Sequence, residues 1–261
     1  MRASRCSAPF ARRWRQGWVR SFLLLCCCLW LLPAQAADLT LRAGVVVDNA
    51  GPYNFTPDSP MAGIYREALE QIGKLSGVRF DIEYYPALRI QQLFEVARLD
   101  VEVGVNPAWR SLSPVGGFYT LPIGTLDYQL CSRSGNARAG RGLEELRGQT
   151  IGLLQGQPLS AFESEFVRHG VHYEMSQSEN EVLSKLRLGR LQAVVLERRQ
   201  IERLTLLPEE LRCEPGSQIS SQPVMLRLHP QFRQWLPALN RAISQLQANG
   251  KLKAIFQKSR G

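Results

Sequence analysis

The sequence predicts an α/β fold made of two units of similar plan. In residues 39–105, apolar strand patterns alternate with helical patterns in the order strand–helix–strand–helix–strand, which is typical of a parallel sheet covered by helices. A second alternation of helices and strands occupies residues 140–207. No low-complexity linker separates the two units. We therefore expect two connecting strands, near Asp127–Arg133 and Ser220–Leu228, which suit a hinge better than a flexible tether.

The elements of the first unit follow from hydrophobic periodicity. Alternating apolar residues predict strands, and apolar residues three or four positions apart predict helices. A glycine after the last periodic residue ends a helix. In chain order we predict a strand at Leu39–Val47, a helix from about Gly63 to Gly77, a strand at Phe80–Tyr84, a helix carrying Ile90, Leu93, Phe94 and Ala97, and a strand at Val101–Val105.

The second unit is interpreted in the same way. Ser178 followed by Glu181 predicts a capping box at the start of one helix, and Gly189 ends that helix. Two further helices close the chain, one containing Trp235–Leu246 and one containing Leu252–Phe256. Between residues 140 and 228 we predict helices at Gly140–Arg147, Leu159–His169, Glu179–Leu188 and Arg199–Leu207, and extended segments at Thr150–Leu154, Val171–Met175, Gln192–Leu196 and Ser217–Leu228.

The N-terminal segment 1–37 has the layout of a secretory signal peptide. A basic start with six arginines precedes the apolar run Phe22–Leu32, and Ala34-Gln35-Ala36 resembles a cleavage site. The run is shorter than a membrane-spanning helix needs, which disfavours a retained anchor. Lipidation is a second alternative, but Cys26–Cys28 lie inside the apolar run and not after it.

Removing this segment changes the charge and cysteine content. The whole sequence carries a formal net charge of +9, and six arginines but no acidic residue lie in residues 1–37, so +3 remains. Nucleic acid is therefore not implied as a partner. Four of the six cysteines lie in the signal. The other two, Cys131 and Cys213, predict one disulfide or two unpaired thiols in an exported protein.

From Asp38 to Gly261 the chain resembles the periplasmic solute-binding proteins of the polar amino acid type, family 3. Each motif is short, and their order and spacing along the chain carry the resemblance. The stretches are Pro52-Tyr53-Asn54-Phe55 with Gly63-Ile64-Tyr65, Asn106-Pro107-Ala108-Trp109-Arg110 in place of a Thr-x-x-Arg segment with Phe118–Pro122 after it, Leu146–Gly152 ending in Gln155-Gly156, and Gly189–Glu197 in place of a Gly-Arg-x-Asp-Ala segment.

The resemblance implies a type II two-lobe fold with a two-strand hinge. Lobe I would comprise residues 38–128 and 226–261, and lobe II, with the hinge strands, residues 129–225. It further implies a monomeric periplasmic protein, not an enzyme and without a cofactor, that captures an amino acid or related zwitterion for an ABC permease of the inner membrane.

Three departures from the family pattern affect the site. Asn106 replaces the Thr or Ser of the Thr-x-x-Arg segment, and Gln192 replaces the Asp of the Gly-Arg-x-Asp segment. Glu102 occupies a strand position that is usually apolar or small, and the sequence offers no explanation for it.

Arg110 and Glu197 are the predicted charged ligand contacts. A guanidinium holds a carboxylate through two parallel hydrogen bonds, and Arg110 follows an apolar strand. Glu197 follows a buried strand of the second unit and would receive an ammonium group. Their alternatives are a solvated loop arginine and a glutamate at a helix N-terminus.

Aromatic and polar residues complete the predicted site. Tyr53 and Trp109 would sandwich the apolar part of a solute, with core packing as the alternative. Gln157 and Ser160 lie where a strand enters a helix and would present N–H groups or, alternatively, cap that helix. Asn106 supplies a side-chain donor. Tyr85 and Arg89 are weaker candidates.

Catalysis has little support in the sequence. The three histidines, His169, His172 and His229, show no metal-ligand spacing, and no phosphate-binding glycine loop occurs. Two alternative functions stay open. One is a ligand sensor of the same fold that works without a permease. The other is a dehydratase-type enzyme with Glu197 as general acid or base.

Overall fold

The computed structural model describes residues 39–47, 63–133, 142–208 and 212–257. The predicted signal peptide and Tyr53 lie outside these residues. Within them, no helix is both long and apolar enough to cross a membrane.

The first sheet is built around a parallel core. Strand β1 (Leu39–Val46) pairs in parallel with β2 (Val78–Tyr85) on one side and with β3 (Val101–Val105) on the other. Helix α1 (Ile64–Ser76) connects β1 to β2, and α2 (Ala87–Glu95) connects β2 to β3. This order confirms the predicted strand–helix–strand–helix–strand unit.

The second sheet has the same plan with other strands. Strand β6 (Thr150–Leu154) pairs in parallel with β7 (His172–Ser176) and with β8 (Ala193–Glu197), and β8 pairs antiparallel with β5 (Gly124–Arg133). Its helices are α3 (Glu163–His169), α4 (Glu179–Arg187) and α5 (Arg198–Leu204).

Strand β9 (Cys213–Leu228) belongs to both sheets. Its first part pairs antiparallel with β5 up to Val224, and its last residues pair antiparallel with β3 from Met225. The short strand β4 (Phe118–Tyr119) also pairs with its end. The expected connection by two neighbouring strands is therefore present as β5 and β9, and β9 is longer than the segment predicted for it.

Helices α6 (Leu236–Ala248) and α7 (Lys251–Gln257) pack on the first sheet's side of the molecule, where both contact α1. The apolar faces that the periodicity predicts are buried. Fully buried examples are Ile64, Ala68, Leu69 and Ile72 of α1 and Leu239 and Ile243 of α6. These faces form part of one continuous apolar core, so the helices gain most of their stability from packing.

Two local predictions need correction. The helix predicted at Leu159–His169 is divided into a 3₁₀ turn, Leu159–Ala161, and α3, which begins after Phe162. Phe162 is fully buried and packs against Tyr128, so tertiary packing sets the break. The capping box of α4 is half formed: Ser178 accepts from the N–H of Glu181, but the Glu181 carboxylate accepts from Gln177.

Candidate functional site

The candidate site lies where the C-terminal ends of strands from both sheets approach one another. Strand β3 runs into a 3₁₀ turn, Pro107–Arg110, and β6 leads through a glycine turn into the turn Leu159–Ala161. These two turns contact each other. Gly156 comes so close to Ala87, at the start of α2, that an added Cβ would lie 3.3 Å from the Ala87 side chain. Ligands in open α/β sheets bind at the C-terminal ends of strands, which makes this contact region the candidate site.

Asn106 fixes the first of these turns to the strand shared by both sheets. Its Oδ1 accepts from the Ala108 N–H at 3.0 Å and so caps the turn. Its Nδ2 donates to the Pro223 carbonyl of β9 at 2.9 Å. Asn106 therefore binds the backbone of two elements with one of its two amide N–H groups and its oxygen, and its predicted role as a donor to a solute stays a prediction.

Arg110 is bound to Glu102, whose presence in β3 the sequence could not explain. Nε of Arg110 donates to Oε1 at 2.9 Å, Nη2 donates to the same oxygen, and Nη1 donates to the Trp109 carbonyl at 3.1 Å. The Arg110 side chain is 12% exposed and that of Glu102 is 2% exposed. The structure thus places Arg110 in an internal ion pair, and its role in holding a solute stays a prediction.

Glu102 has a second guanidinium on its other oxygen. Arg227, which lies opposite Glu102 in the β3–β9 pairing, donates from Nη1 to Oε2 at 3.0 Å. Its Nη2 donates to Ser113 Oγ at 2.9 Å, and its guanidinium lies 4.1 Å from the centre of the Phe94 ring. The nearby phenol of Tyr119 has a raised pKa, mainly because burial disfavours the phenolate.

Sequence reasoning missed Arg227 altogether. The available signal was a charged residue within each of two apolar runs, Glu102 in β3 and Arg227 in the last residues of β9. Such residues are rarely buried unless they are paired. The sequence does not give the strand register that makes them partners.

Trp109 stands three residues after Asn106, which is the arginine's place in a Thr-x-x-Arg segment, and Arg110 stands one residue later. In a 3₁₀ turn residues three apart eclipse each other, so Trp109 and Arg110 leave the turn in different directions. The Trp109 indole Nε1 is buried, and no acceptor for it lies among the described residues. A buried donor without an acceptor calls for a specific explanation.

Glu197, at the end of β8, caps the helix that follows. Its Oε2 accepts from the Arg199 N–H at 2.8 Å, and its own N–H donates to Gln200 Oε1 at 3.0 Å. The residue is 5% exposed. The structure therefore shows the helix-terminal role that the sequence left as the alternative, while an ammonium contact remains a prediction.

Gln157 joins two strand ends of the second sheet. Its Oε1 accepts from the Leu154 N–H at 2.9 Å, and its Nε2 donates to the Val195 carbonyl at 3.0 Å. Ser160 is exposed on the Leu159–Ala161 turn. Of the weaker candidates, Tyr85 donates to Glu83 at 2.6 Å and Arg89 is exposed.

The predicted disulfide is present. Cys131 of β5 and Cys213 of β9 are bonded, with their Cα atoms 5.5 Å apart. Both strands belong to the second sheet at this point. Among the described residues, no group of three His, Cys, Asp or Glu side chains could hold a metal ion.

No family model and no curated protein matches this sequence. Solved structures do. The GluR0 ligand-binding core with L-glutamate matches with a TM-score of 0.71 and 14% identity, over 87% of this chain and 100% of the other. This is the two-lobe fold of the periplasmic binding proteins. The predicted fold class is confirmed.

Two further structures share this binding-protein fold. An arginine third transport system periplasmic binding protein from Legionella pneumophila matches with a TM-score of 0.69 and 13% identity, over 85% of this chain and 100% of the other. The ancestral amino acid-binding protein AncCDT-1, a precursor of cyclohexadienyl dehydratase, matches with a TM-score of 0.65 and 14% identity, over 84% of this chain and 94% of the other. At such identities the likeness concerns the fold.

Proposed function

We propose that the chain is a periplasmic solute-binding protein that closes around a small polar solute of the amino-acid type. The observation that carries this proposal is the meeting of two turns, Pro107–Arg110 and Leu159–Ala161, which follow strands of different sheets. A solute held between them touches both lobes. Structures of the same fold are described as binding L-glutamate and as serving arginine transport, which supports the solute class.

Closure follows from contacts that only the closed state offers. A solute bound to both turns has more partners than a solute bound to one, so it shifts the equilibrium between open and closed forms towards the closed form. Strands β5 and β9 connect the two sheets as a paired ribbon, which permits bending without free rotation. In this proposal the closed monomer delivers its solute to an ABC permease after export of residues 38–261.

Thermal denaturation of the purified mature chain tests this function. A panel of amino acids, polyamines and organic acids is screened for a raised midpoint. A true solute at a hundredfold excess over its Kd adds about 2.7 kcal/mol of stability. Each hit is then titrated by calorimetry, and a 1:1 stoichiometry is expected. A panel that leaves the midpoint unchanged throughout argues against solute binding.

A sensor is the second candidate, and one observation favours it. Arg110 is engaged by Glu102 and the Asp of the family's Gly-Arg-x-Asp segment is Gln192, so the amino-acid transport pattern is incomplete. Neighbouring genes for a permease and an ATPase would indicate transport, and a gene for a membrane histidine kinase or cyclase would indicate signalling. A dehydratase is the third candidate, because AncCDT-1 is described as a precursor of cyclohexadienyl dehydratase, but Glu197 is engaged at a helix N-terminus.

A further inference from the structure

The side-on edge of the Arg110 guanidinium, formed by Nε and Nη2, is already bound to a carboxylate of the protein. A carboxylate binds a guanidinium through two parallel hydrogen bonds, either side-on from Nε and one Nη or end-on from both Nη groups. In this chain Nε and Nη2 donate to Glu102, and Nη1 donates to the Trp109 carbonyl. Glu102 therefore fills the side-on edge of Arg110, and the Trp109 carbonyl engages one of the two nitrogens of the end-on edge.

Glu102 is held there by the fold. Its second oxygen accepts from Arg227, which is 1% exposed. Arg227 is itself fixed by Ser113 and by the ring of Phe94. A solute carboxylate at the side-on edge of Arg110 would have to displace Glu102, which is buried and is held by both arginines.

The neighbouring residue offers a donor in place of the guanidinium. The buried indole N–H of Trp109 has no acceptor among the described residues, and its turn contacts the Leu159–Ala161 turn of the other lobe. An indole N–H carries no charge, so it can be satisfied by an uncharged acceptor without an opposite charge nearby.

We propose that Glu102 determines which solutes the cleft accepts. By filling the side-on edge of Arg110 it excludes a free carboxylate there, and the solute meets the indole N–H of Trp109 with an uncharged acceptor such as an amide carbonyl or a hydroxyl. The inference rests on the proposed solute-binding function and narrows its substrate class.

Calorimetry with matched probes tests the wild-type protein. The pairs are L-arginine against L-argininamide and L-glutamine against L-glutaminamide, which differ only at the carboxyl group. The amide of at least one pair is expected to bind as tightly as the acid or more tightly. An acid that binds at least tenfold tighter than its amide overturns the proposal.

A double variant, Glu102→Gln with Arg227→Met, tests the assignment directly. The wild-type cluster has two arginines and one glutamate, and the variant has one arginine, so both carry +1. Since an uncharged amide oxygen holds Arg110 less firmly than a carboxylate does, Arg110 of the variant should bind L-arginine or L-glutamine at least tenfold tighter than the wild-type protein does. A third change, Arg110→Gln, should abolish this gain. A folded double variant without any gain overturns the proposal.

Two measurements keep the test decisive. Far-UV circular dichroism verifies folding, and Glu102→Gln alone replaces the double variant if the latter does not fold. Trp109→Phe keeps a six-membered aromatic ring but removes the five-membered ring with its N–H, and it should weaken binding of the preferred amide at least tenfold. Undiminished binding to Trp109→Phe overturns the role of the indole. A panel screen without hits would instead refute the solute-binding function. Carboxylate binding by the double variant is compared with that of the wild-type protein directly, so its result does not depend on the panel.

Discussion

The ion pair of Arg110 with Glu102 changes the effect that Arg110 is expected to have on stability. From the sequence, a loop arginine should be neutral for stability. In the structure it neutralises Glu102, whose side chain is 2% exposed. Removing one partner of a buried ion pair leaves an uncompensated charge, which costs several kcal/mol.

We expect Arg110→Ala to lower the free energy of unfolding by about 2–4 kcal/mol, below the full cost of a broken pair because Arg227 still holds Glu102. Urea denaturation followed by circular dichroism measures this change. Arg89→Ala is the matched control: the residue is exposed, and its effect should stay within about 0.5 kcal/mol. Equal midpoints for the two variants would contradict the prediction.

His229 makes stability depend on pH. Its pKa is lowered from 6.5, mainly by burial, with Arg227 also lowering it and Asp100 raising it. The folded state therefore favours the neutral ring. The resulting stabilisation is complete above the unfolded pKa and is lost as the pH falls below 6.5 towards the folded pKa.

The variant His229→Asn should flatten this dependence while keeping a cap for the turn Pro230–Trp235. Unfolding free energies measured between pH 8 and pH 5 should fall more steeply for the wild-type protein than for the variant. Parallel curves would show that His229 does not contribute. Titration of carboxylates elsewhere changes the unfolding free energy of both proteins equally, so the difference between the two curves is the contribution of the His229 imidazole.

At the level of elements, the shape of β3 depends on a glycine. Gly104 has φ of +76°, and an added Cβ would fall within the ring of Tyr65. The bulge between Val103 and Val105 follows from this conformation and sets the direction in which β3 enters the Pro107–Arg110 turn.

Gly104→Ala should therefore cost at least about 2 kcal/mol of unfolding free energy, from backbone strain and overpacking together. Gly116→Ala is the control, because nothing lies within 4 Å of an added Cβ there. Chemical denaturation of both variants gives the comparison. A Gly104→Ala protein as stable as the control would refute the strained-glycine explanation.

The β5–β9 ribbon carries a second element-scale prediction. Cys131 and Cys213 are 82 residues apart in sequence, so the bond closes a long loop in the unfolded chain. On chain-entropy grounds such a bond stabilises by about 4 kcal/mol. Because the bond is buried, the reductant is added to the unfolded chain, which is then refolded with its thiols reduced. The reduced wild-type protein should have a lower denaturation midpoint than the oxidised protein, and the Cys131→Ala/Cys213→Ala protein should show no response to reductant. A midpoint unaffected by reduction would contradict the prediction.

At the scale of the whole molecule, β9 joins both sheets into one structure. Loss of either sheet would leave part of this strand without its pairing partner, Cys213–Val224 in one case and Met225–Leu228 in the other, so we expect one cooperative unfolding transition. Hydrogen exchange at increasing urea should release β1 and β6 amides together. A separate, earlier release of β6 would show that the lobes unfold independently.

The whole-molecule plan could be predicted from the sequence, because hydrophobic periodicity is local and each strand or helix carries its own pattern. The side-chain contacts between distant strands could not be predicted from the sequence. Glu102 and Arg227 are 125 residues apart and meet only because β3 and β9 share a register.

The burial of the cystine imposes an order on the maturation of the chain. Cys131 is 0% exposed and Cys213 is 2% exposed, so no oxidant reaches either sulfur once β5 and β9 are packed. Oxidation must therefore precede the final closure of the ribbon, or follow a local opening. A chain that reaches the oxidising side of a membrane unfolded can form the bond before β5 and β9 pack. Once they have packed, the bond is shielded from thiols in its surroundings.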